Sequence, residues 1–228
     1  MSADVPVTAL VVAKAPVPGL AKTRLAATVG NAAAADIAAA ALLDTLDAVA
    51  AAPVAARVVA MTGDLAAASR SAEIERRLAD FVVIPQRGDD FGDRLAHAHA
   101  DASAAAGGLP VLQIGMDTPQ VSAGLLADCA RELVASGAVL GMATDGGWWV
   151  LGITQPDSAE CLRAVPMSTA ETGAATRAAL RDAGVDVTLV AELTDVDTID
   201  DVGEVRRECQ LDSRFRQATG AVEVERAG

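Results

Sequence analysis

Only two lysines occur in the 228 residues, Lys14 and Lys22, and they stand within one short stretch, AKAPVPGLAKTRL. Arg24 adds a third cation there, and no acidic residue falls between Val5 and Ala35. Against 18 basic and 31 acidic residues and a net charge of −13, this is a segregated positive patch. Gly19 and two prolines shape it into a loop, with Ala13 closing the apolar run before it. Backbone N–H groups and cations converging in such a loop suit a phosphate group. An ordinary basic loop is the competing reading. The loop is not a nucleotide P-loop, because Pro16 and Ala21 stand where that motif needs glycine, and no G-x-G-x-x-G occurs anywhere.

The second chemical signal is IGMDTP, in which an apolar run ends and Asp117, Thr118 and Pro119 follow. A carboxylate at that position faces the crevice of an α/β sheet. Hard cations such as Mg²⁺ take one or two carboxylates together with a substrate's phosphates, so Asp117 beside a diphosphate suffices; capping a turn is the alternative. Further on, TDVDTIDD supplies Asp195 and Asp197, either of which would serve as a second metal ligand. Thr198 and Asp201 in the same string approximate a capping box. A covalent aspartate phosphatase is excluded, since its D-x-D belongs on an early strand.

Three weaker signals remain. TDGGWWVLG places Asp145, Gly146 and Gly147 in a bend directly before both tryptophans, Trp148 and Trp149, whose rings must point to opposite faces of a strand. The glycines permit either a tight turn or close approach to a ligand. Phe91, Gly92 and Arg94 open a helix, suited to capping or to holding a nucleotide. His97 and His99 cannot share a helix face, so neither a metal pair nor a serine or cysteine nucleophile with its base can be built.

These groups need elements to hold them. Short apolar runs alternate with alanine-rich amphipathic segments, the pattern of βα units. Strands are expected at Thr8–Ala13, Arg57–Met61, Phe81–Ile84, Val111–Gly115, Val139–Ala143, Trp148–Ile153 and Val185–Val190. Helices are expected at Ala32–Ala52, Glu73–Asp80, Asp93–Ala106, Ser122–Ala135, Glu171–Ala183 and Asp200–Cys209. Most spacings allow a crossover helix, but four residues separate the fifth and sixth strands, so the sheet is expected to be mixed and mostly parallel.

Composition narrows the function classes. Hydrophobic residues make up 52% of the chain, yet 52 residues are alanine, so the core must rest on Val, Leu and Ile. With no Tyr, three Phe and two Trp, stacking platforms for single-stranded nucleic acid are lacking, and the acidic balance repels nucleic acid and anionic membranes. Three dispersed cysteines argue against a disulfide framework or a thiolate zinc site. The expectation is a cytoplasmic protein with no membrane or nucleic-acid partner.

Taken in order, VVAKAPVPGLAKTRL, FGDRLAHAHA, IGMDTP, TDGGWWVLG and DVDTIDDV cover nearly the whole chain and resemble the DUF2064 group of GT-A-type nucleotide-diphospho-sugar transferases. That group is similar in fold to the guanylyltransferases of molybdenum-cofactor and phospholactate metabolism. The resemblance implies a single GT-A, Rossmann-like three-layer αβα domain over residues 1–211, with 212–228 a polar tail or short helix, and a homodimer as one expected state. It implies that Ala13, Lys14, Gly19, Lys22, Arg24 and Arg94 bind the nucleotide phosphates, and that Asp117 and Asp197 hold Mg²⁺ or Mn²⁺. Thr118, Pro119, Asp145, Gly146, Gly147 and Trp148 would lie by the sugar or acceptor, with Lys22, Asp117 and Asp145 catalytic. Met167 stands where many members carry Trp. The implied function is metal-dependent transfer from a nucleotide-sugar to a small-molecule acceptor. The alternatives are a guanylyltransferase-like joining of a nucleoside triphosphate to a phosphorylated acceptor with release of pyrophosphate, and a nucleotide-binding protein without turnover.

Overall fold

In a computed structural model that describes residues 4–220 and Val222, seven strands form one sheet: β1 (Val5–Lys14), β2 (Val54–Thr62), β3 (Val82–Pro85), β4 (Val111–Ile114), β5 (Ala138–Met142), β6 (Trp148–Ile153) and β7 (Thr188–Leu189). Their order across the sheet is β3-β2-β1-β4-β6-β5-β7. β6 alone runs against the others, pairing antiparallel with both β4 and β5. The expected short connection between the fifth and sixth strands is therefore a hairpin, and the sheet is mixed and mostly parallel. The last strand is much shorter than Val185–Val190, with only Thr188 and Leu189 pairing to β5 at the sheet edge.

The pleat sorts side chains into two layers. Along β1, Val7, Ala9, Val11 and Ala13 face one core, shared with α2 (Asn31–Ala51), α3 (Ser71–Leu78) and α5 (Ala123–Ser136). Leu10 and Val12 face the other, shared with α4 (Phe91–Ala105), a 3-10 segment at Pro156–Ala164 and α6 (Thr172–Asp182). This is the three-layer αβα arrangement.

The alanine excess has a structural reason in α2. Ala39, Leu42, Leu43, Leu46 and Val49 pack on the sheet. Ala34, Ile37 and Ala41 pack instead with Leu25 of α1 (Thr23–Val29), Val202 and Val205 of α7 (Ile199–Glu208) and Phe215 of α8 (Arg214–Ala218). A helix buried on opposite sides must be narrow, and alanine supplies that at no cost in helix propensity. α8 is pinned to α2 by Asp44, which accepts from the backbone N–H groups of Arg214 and Phe215. The basic stretch is only partly a loop, because α1 begins at Thr23 and Arg24 lies in its first turn.

Trp149 is buried and donates to the Ala191 carbonyl, while Trp148 is half-buried on the opposite face, as alternation along β6 requires. All three cysteines are free. No helix among the described residues is long and apolar enough to cross a membrane.

Candidate active site

The C-terminal ends of β1, β2, β3 and β4 open on the same side as the start of antiparallel β6. A cavity of about 640 Å³ runs along this edge. Its middle is lined by Lys14 at the end of β1 and by Gly115, Met116 and Asp117 after β4. Towards β2 and β3 the lining is Thr62, Gln86, Phe91 and Arg94, and towards β6 it is Asp145, Gly147, Trp148, the loop from Met167 to Ala170, and Asp195. A smaller cavity of about 270 Å³ adjoins it and shares Lys14, Arg24, Met116, Asp117 and Asp197.

Asp117, Asp195 and Asp197 come together although some 80 residues of chain separate the first from the others. Backbone bonds place them: Thr144 donates to Leu193, Leu193 to Met142, and Val196 to the Asp117 carbonyl itself. The segment carrying Asp195 and Asp197 is thus stitched between β5 and the turn after β4. Asp201 fixes its far end, accepting from the N–H groups of Asp197 and Thr198 and closing the capping box of α7. One carboxylate oxygen from each of the three aspartates lies within 4.8 Å of the others. An all-oxygen, all-anionic donor set of this spacing fits Mg²⁺ or Mn²⁺ and not a soft metal.

Lys22 already places a positive charge there. Its Nζ donates to Asp117 Oδ2 at 2.6 Å and to Asp197 Oδ1 at 2.7 Å, with the side chain only 12% exposed. Burial pushes the Lys22 pKa down, but the charges and hydrogen bonds of Asp117 and Asp197 together outweigh it and hold the ammonium above its ordinary range. Arg24 reaches Asp197 at 3.3 Å. Asp197 is held below the usual carboxylate range, since Lys22 and Arg24 outweigh the burial that would raise it. Asp195 makes no ion pair among the described residues. Burial, then the charges of Asp117, Asp145 and Asp197, push its carboxyl up to about 7, and the nearby charge of Lys22 offsets this only in part.

The remaining expected residues divide clearly. Lys14 lines both cavities, its Nζ held by the Leu20 carbonyl at 2.9 Å. Arg94 lies over the Phe91 ring at 5.6 Å and has no carboxylate partner among the described residues. Ala13 lines the cavity, and its carbonyl accepts from Gln86. Asp145 Oδ1 caps the Gly147 N–H at 2.7 Å, and Trp148 donates to Thr176. Gly146 is a structural requirement: its φ is +89°, and a Cβ there would fall 1.9 Å from the Ala170 carbonyl oxygen. The structure does not bring Gly19, Thr118, Pro119 or Gly146 to the cavity lining. Gly19 makes a positive-φ turn, and Thr118 and Pro119 are buried behind Asp117.

Gln86 is a cavity residue that sequence reasoning passed over. Its Nε2 donates to the carbonyls of both Ala13 and Ala60, so its Oε1 is left as an acceptor in the cavity wall. The loop from Met167 to Ala170 also lines the cavity, and in the sequence only its methionine stands out. Neither carries a spacing signal, because their neighbours are set by sheet order.

The family model described as "Uncharacterized protein conserved in bacteria (DUF2064)" matches residues 45–169. The chain belongs to the DUF2064 family. That match includes Asp117 and Asp145, while Lys22 and Asp197 lie outside it. A Desulfovibrio desulfuricans G20 protein provisionally named a nucleotide-diphospho-sugar transferase is 26% identical to this DUF2064 protein. Its structure superposes with a TM-score of 0.80 over 95% of this chain and 96% of its own. A cytidylyltransferase from Leptospira borgpetersenii is 13% identical with a TM-score of 0.57, covering 95% of this chain and 93% of its own. Mycobacterium tuberculosis Rv0371c, whose structure is a complex with manganese, is 18% identical with a TM-score of 0.52, covering 88% and 97%. The chain therefore has the fold shared by sugar and nucleotidyl transferases. No curated protein matches it in sequence.

Proposed function

We propose that this DUF2064 protein is a metal-dependent transferase that takes a nucleotide-sugar donor and passes the sugar to a small-molecule acceptor. The observation that carries this reading is the charge asymmetry of the large cavity. Lys14, Arg24 and Arg94 line its centre and its β2–β3 side, while Asp145 and Asp195 line its β6 side, which has no lysine or arginine among the described residues. A diphosphate fits the first side. The second repels a phosphorylated acceptor and suits a neutral polyol, whose hydroxyls donate to carboxylates.

Asp117 and Asp197 would hold the divalent ion, with Asp195 as a third oxygen ligand. When bound, that ion supplies charge neutralisation at the diphosphate as it leaves. Lys14 and Arg24 add fixed positive charge beside the same oxygens. Negative charge grows on the leaving group in the transition state, so preorganised cations stabilise that state more than the ground state. Gln86 Oε1 offers an acceptor to an N–H of the base, and Asp145 stands by the sugar or the acceptor hydroxyl. The similarity to a provisionally named nucleotide-diphospho-sugar transferase supports this reading, and the similarity to a cytidylyltransferase keeps nucleotidyl transfer as its rival.

Incubating the protein with Mn²⁺ and a panel of nucleotide-sugars and nucleoside triphosphates separates the two. Nucleoside diphosphate released from a nucleotide-sugar is the expected product. Pyrophosphate released from a triphosphate, with every nucleotide-sugar left intact, would replace this reading with nucleotidyl transfer. Tight binding without any product would replace it with a non-catalytic nucleotide-binding role.

A further inference from the structure

We propose that Lys22 is an exchangeable ammonium: it occupies the cation position between Asp117 and Asp197 and gives it up when a divalent ion binds, moving to phosphate. The inference rests on the metal reading above, and it makes metal and phosphate binding depend on each other.

The geometry leaves room for one cation. Nζ sits 2.6 Å and 2.7 Å from one oxygen of each aspartate. A divalent ion held by the same oxygens would lie at about 2.0–2.6 Å from each, so it would overlap or directly repel the ammonium. Lys22 must therefore leave first. Its four-carbon stem allows this, and the smaller cavity, which Lys22 already lines together with Lys14, Thr23, Arg24 and the two aspartates, gives the head group room to move. Lys22 also holds a left-handed backbone conformation, φ 47° and ψ 53°, at the start of α1, a region that lysine rarely adopts.

Once displaced, the ammonium stays in the cavity it shares with Lys14 and Arg24, and with both carboxylates taken by the metal the three cations need an anion. A di- or triphosphate supplies it. Without phosphate, the metal must bind against the cost of an unpaired ammonium. With phosphate, displacement is compensated, so each ligand raises the affinity of the other by the same factor. Lys22 is thus a positioning residue that couples the two.

The composition provides a direct assay, because Lys22 has only Lys14 as an internal reference. Acetylation by a small amine-reactive reagent, read by peptide mass spectrometry, should be at least about tenfold slower at Lys22 than at Lys14 in metal-free protein, and Mn²⁺ alone at saturation should largely remove that protection. In parallel, Mn²⁺ binding is followed by electron paramagnetic resonance without nucleotide. Lys22→Met should bind Mn²⁺ about tenfold or more tightly than wild type, a typical coupling factor. Equal Mn²⁺ affinity in both proteins, with Asp117→Asn abolishing it, would overturn the exchange and leave the metal reading intact. Absence of Mn²⁺ binding in wild type and Lys22→Met, with CTP or GTP or without, would overturn both. Should Lys22→Met not fold by circular dichroism, acetylation of the wild type decides alone: Mn²⁺ bound with Lys22 still protected overturns the proposal.

Discussion

The two sides of the large cavity are built from different kinds of sheet and carry opposite charge. The β1–β3 side consists of parallel strands: Lys14 ends β1, Gln86 follows β3, and Phe91 and Arg94 stand on the first turn of α4, all at the edge. The β6 side is made by an antiparallel hairpin and the strand-like segment that closes on it, and these bring Asp145 and Asp195. The difference teaches that one continuous crevice holds two chemically distinct subsites. The metal position lies where they meet. Parallel ends leave cations free to face a ligand, while the tightly bonded hairpin fixes acids that act through geometry.

The largest effect is expected where the two sides join. Asp117→Asn should abolish Mn²⁺ binding and lower turnover by about 10³-fold, on the scale of losing a charge-stabilising group. Asp145→Asn, on the acidic side alone, should leave nucleotide and metal binding unchanged by calorimetry. Equal loss of metal from both variants would erase the distinction between the sides.

Next in size is the turn beneath the acidic side. Gly146→Ala should destabilise the fold by about 3 kcal/mol, since the new Cβ meets a backbone carbonyl at a positive φ. For a chain of this length that is a fall in Tm of roughly 6–12 °C, readable by calorimetry. A fall of under about 1 kcal/mol would mean that the hairpin is not the rigid partner.

A similar magnitude is expected beneath the cationic side, where α4 carries Arg94 on its first turn and buries His99 completely, with no hydrogen-bond partner for either ring nitrogen among the described residues. Burial pushes the His99 pKa down from 6.5 to about 4. A depressed folded-state value means that its contribution is fully present above pH 6.5 and is lost as pH falls towards 4, by about 3 kcal/mol. His99→Leu should flatten chemical-denaturation stability across that window while leaving the protein at least as stable at pH 7, because two unpaired polar atoms are removed. An unchanged pH profile in the variant would assign the acid loss to other groups.

The smallest effect belongs to a single cationic-side group. Arg94→Ala should weaken nucleotide binding about tenfold, the scale of one charged hydrogen bond, without changing the KM of an acceptor. A change in acceptor KM and not in nucleotide affinity would reverse the assignment of the two sides.

Much of this was legible in the chain. Short continuous apolar runs mark every sheet strand, but the run Val185–Val190 overstates the last one, because a two-residue edge strand leaves almost no pattern. The four-residue gap before Trp148 announced the antiparallel hairpin. Helix α1 was hidden within the basic loop, since Lys22 ahead of it is not a capping residue and Arg24 reads as loop charge. The 3-10 segment Pro156–Ala164 lacked an apolar period to reveal it.

The sequence by itself determined the alternation of strands and helices, the segregation of Lys14, Lys22 and Arg24 from acidic residues, the presence of Asp117 at a strand exit and that of Asp197 in an acidic string ahead of a helix. Those properties are local, written in neighbouring side chains. Tertiary structure alone decided that Lys22 bridges the two aspartates, that Asp195 joins them, that Gln86 enters the cavity wall and that Thr118 turns inward. Each depends on which strand ends adjoin across the sheet, and strand order is set by long-range burial of the two core layers, to which short-range spacing is blind.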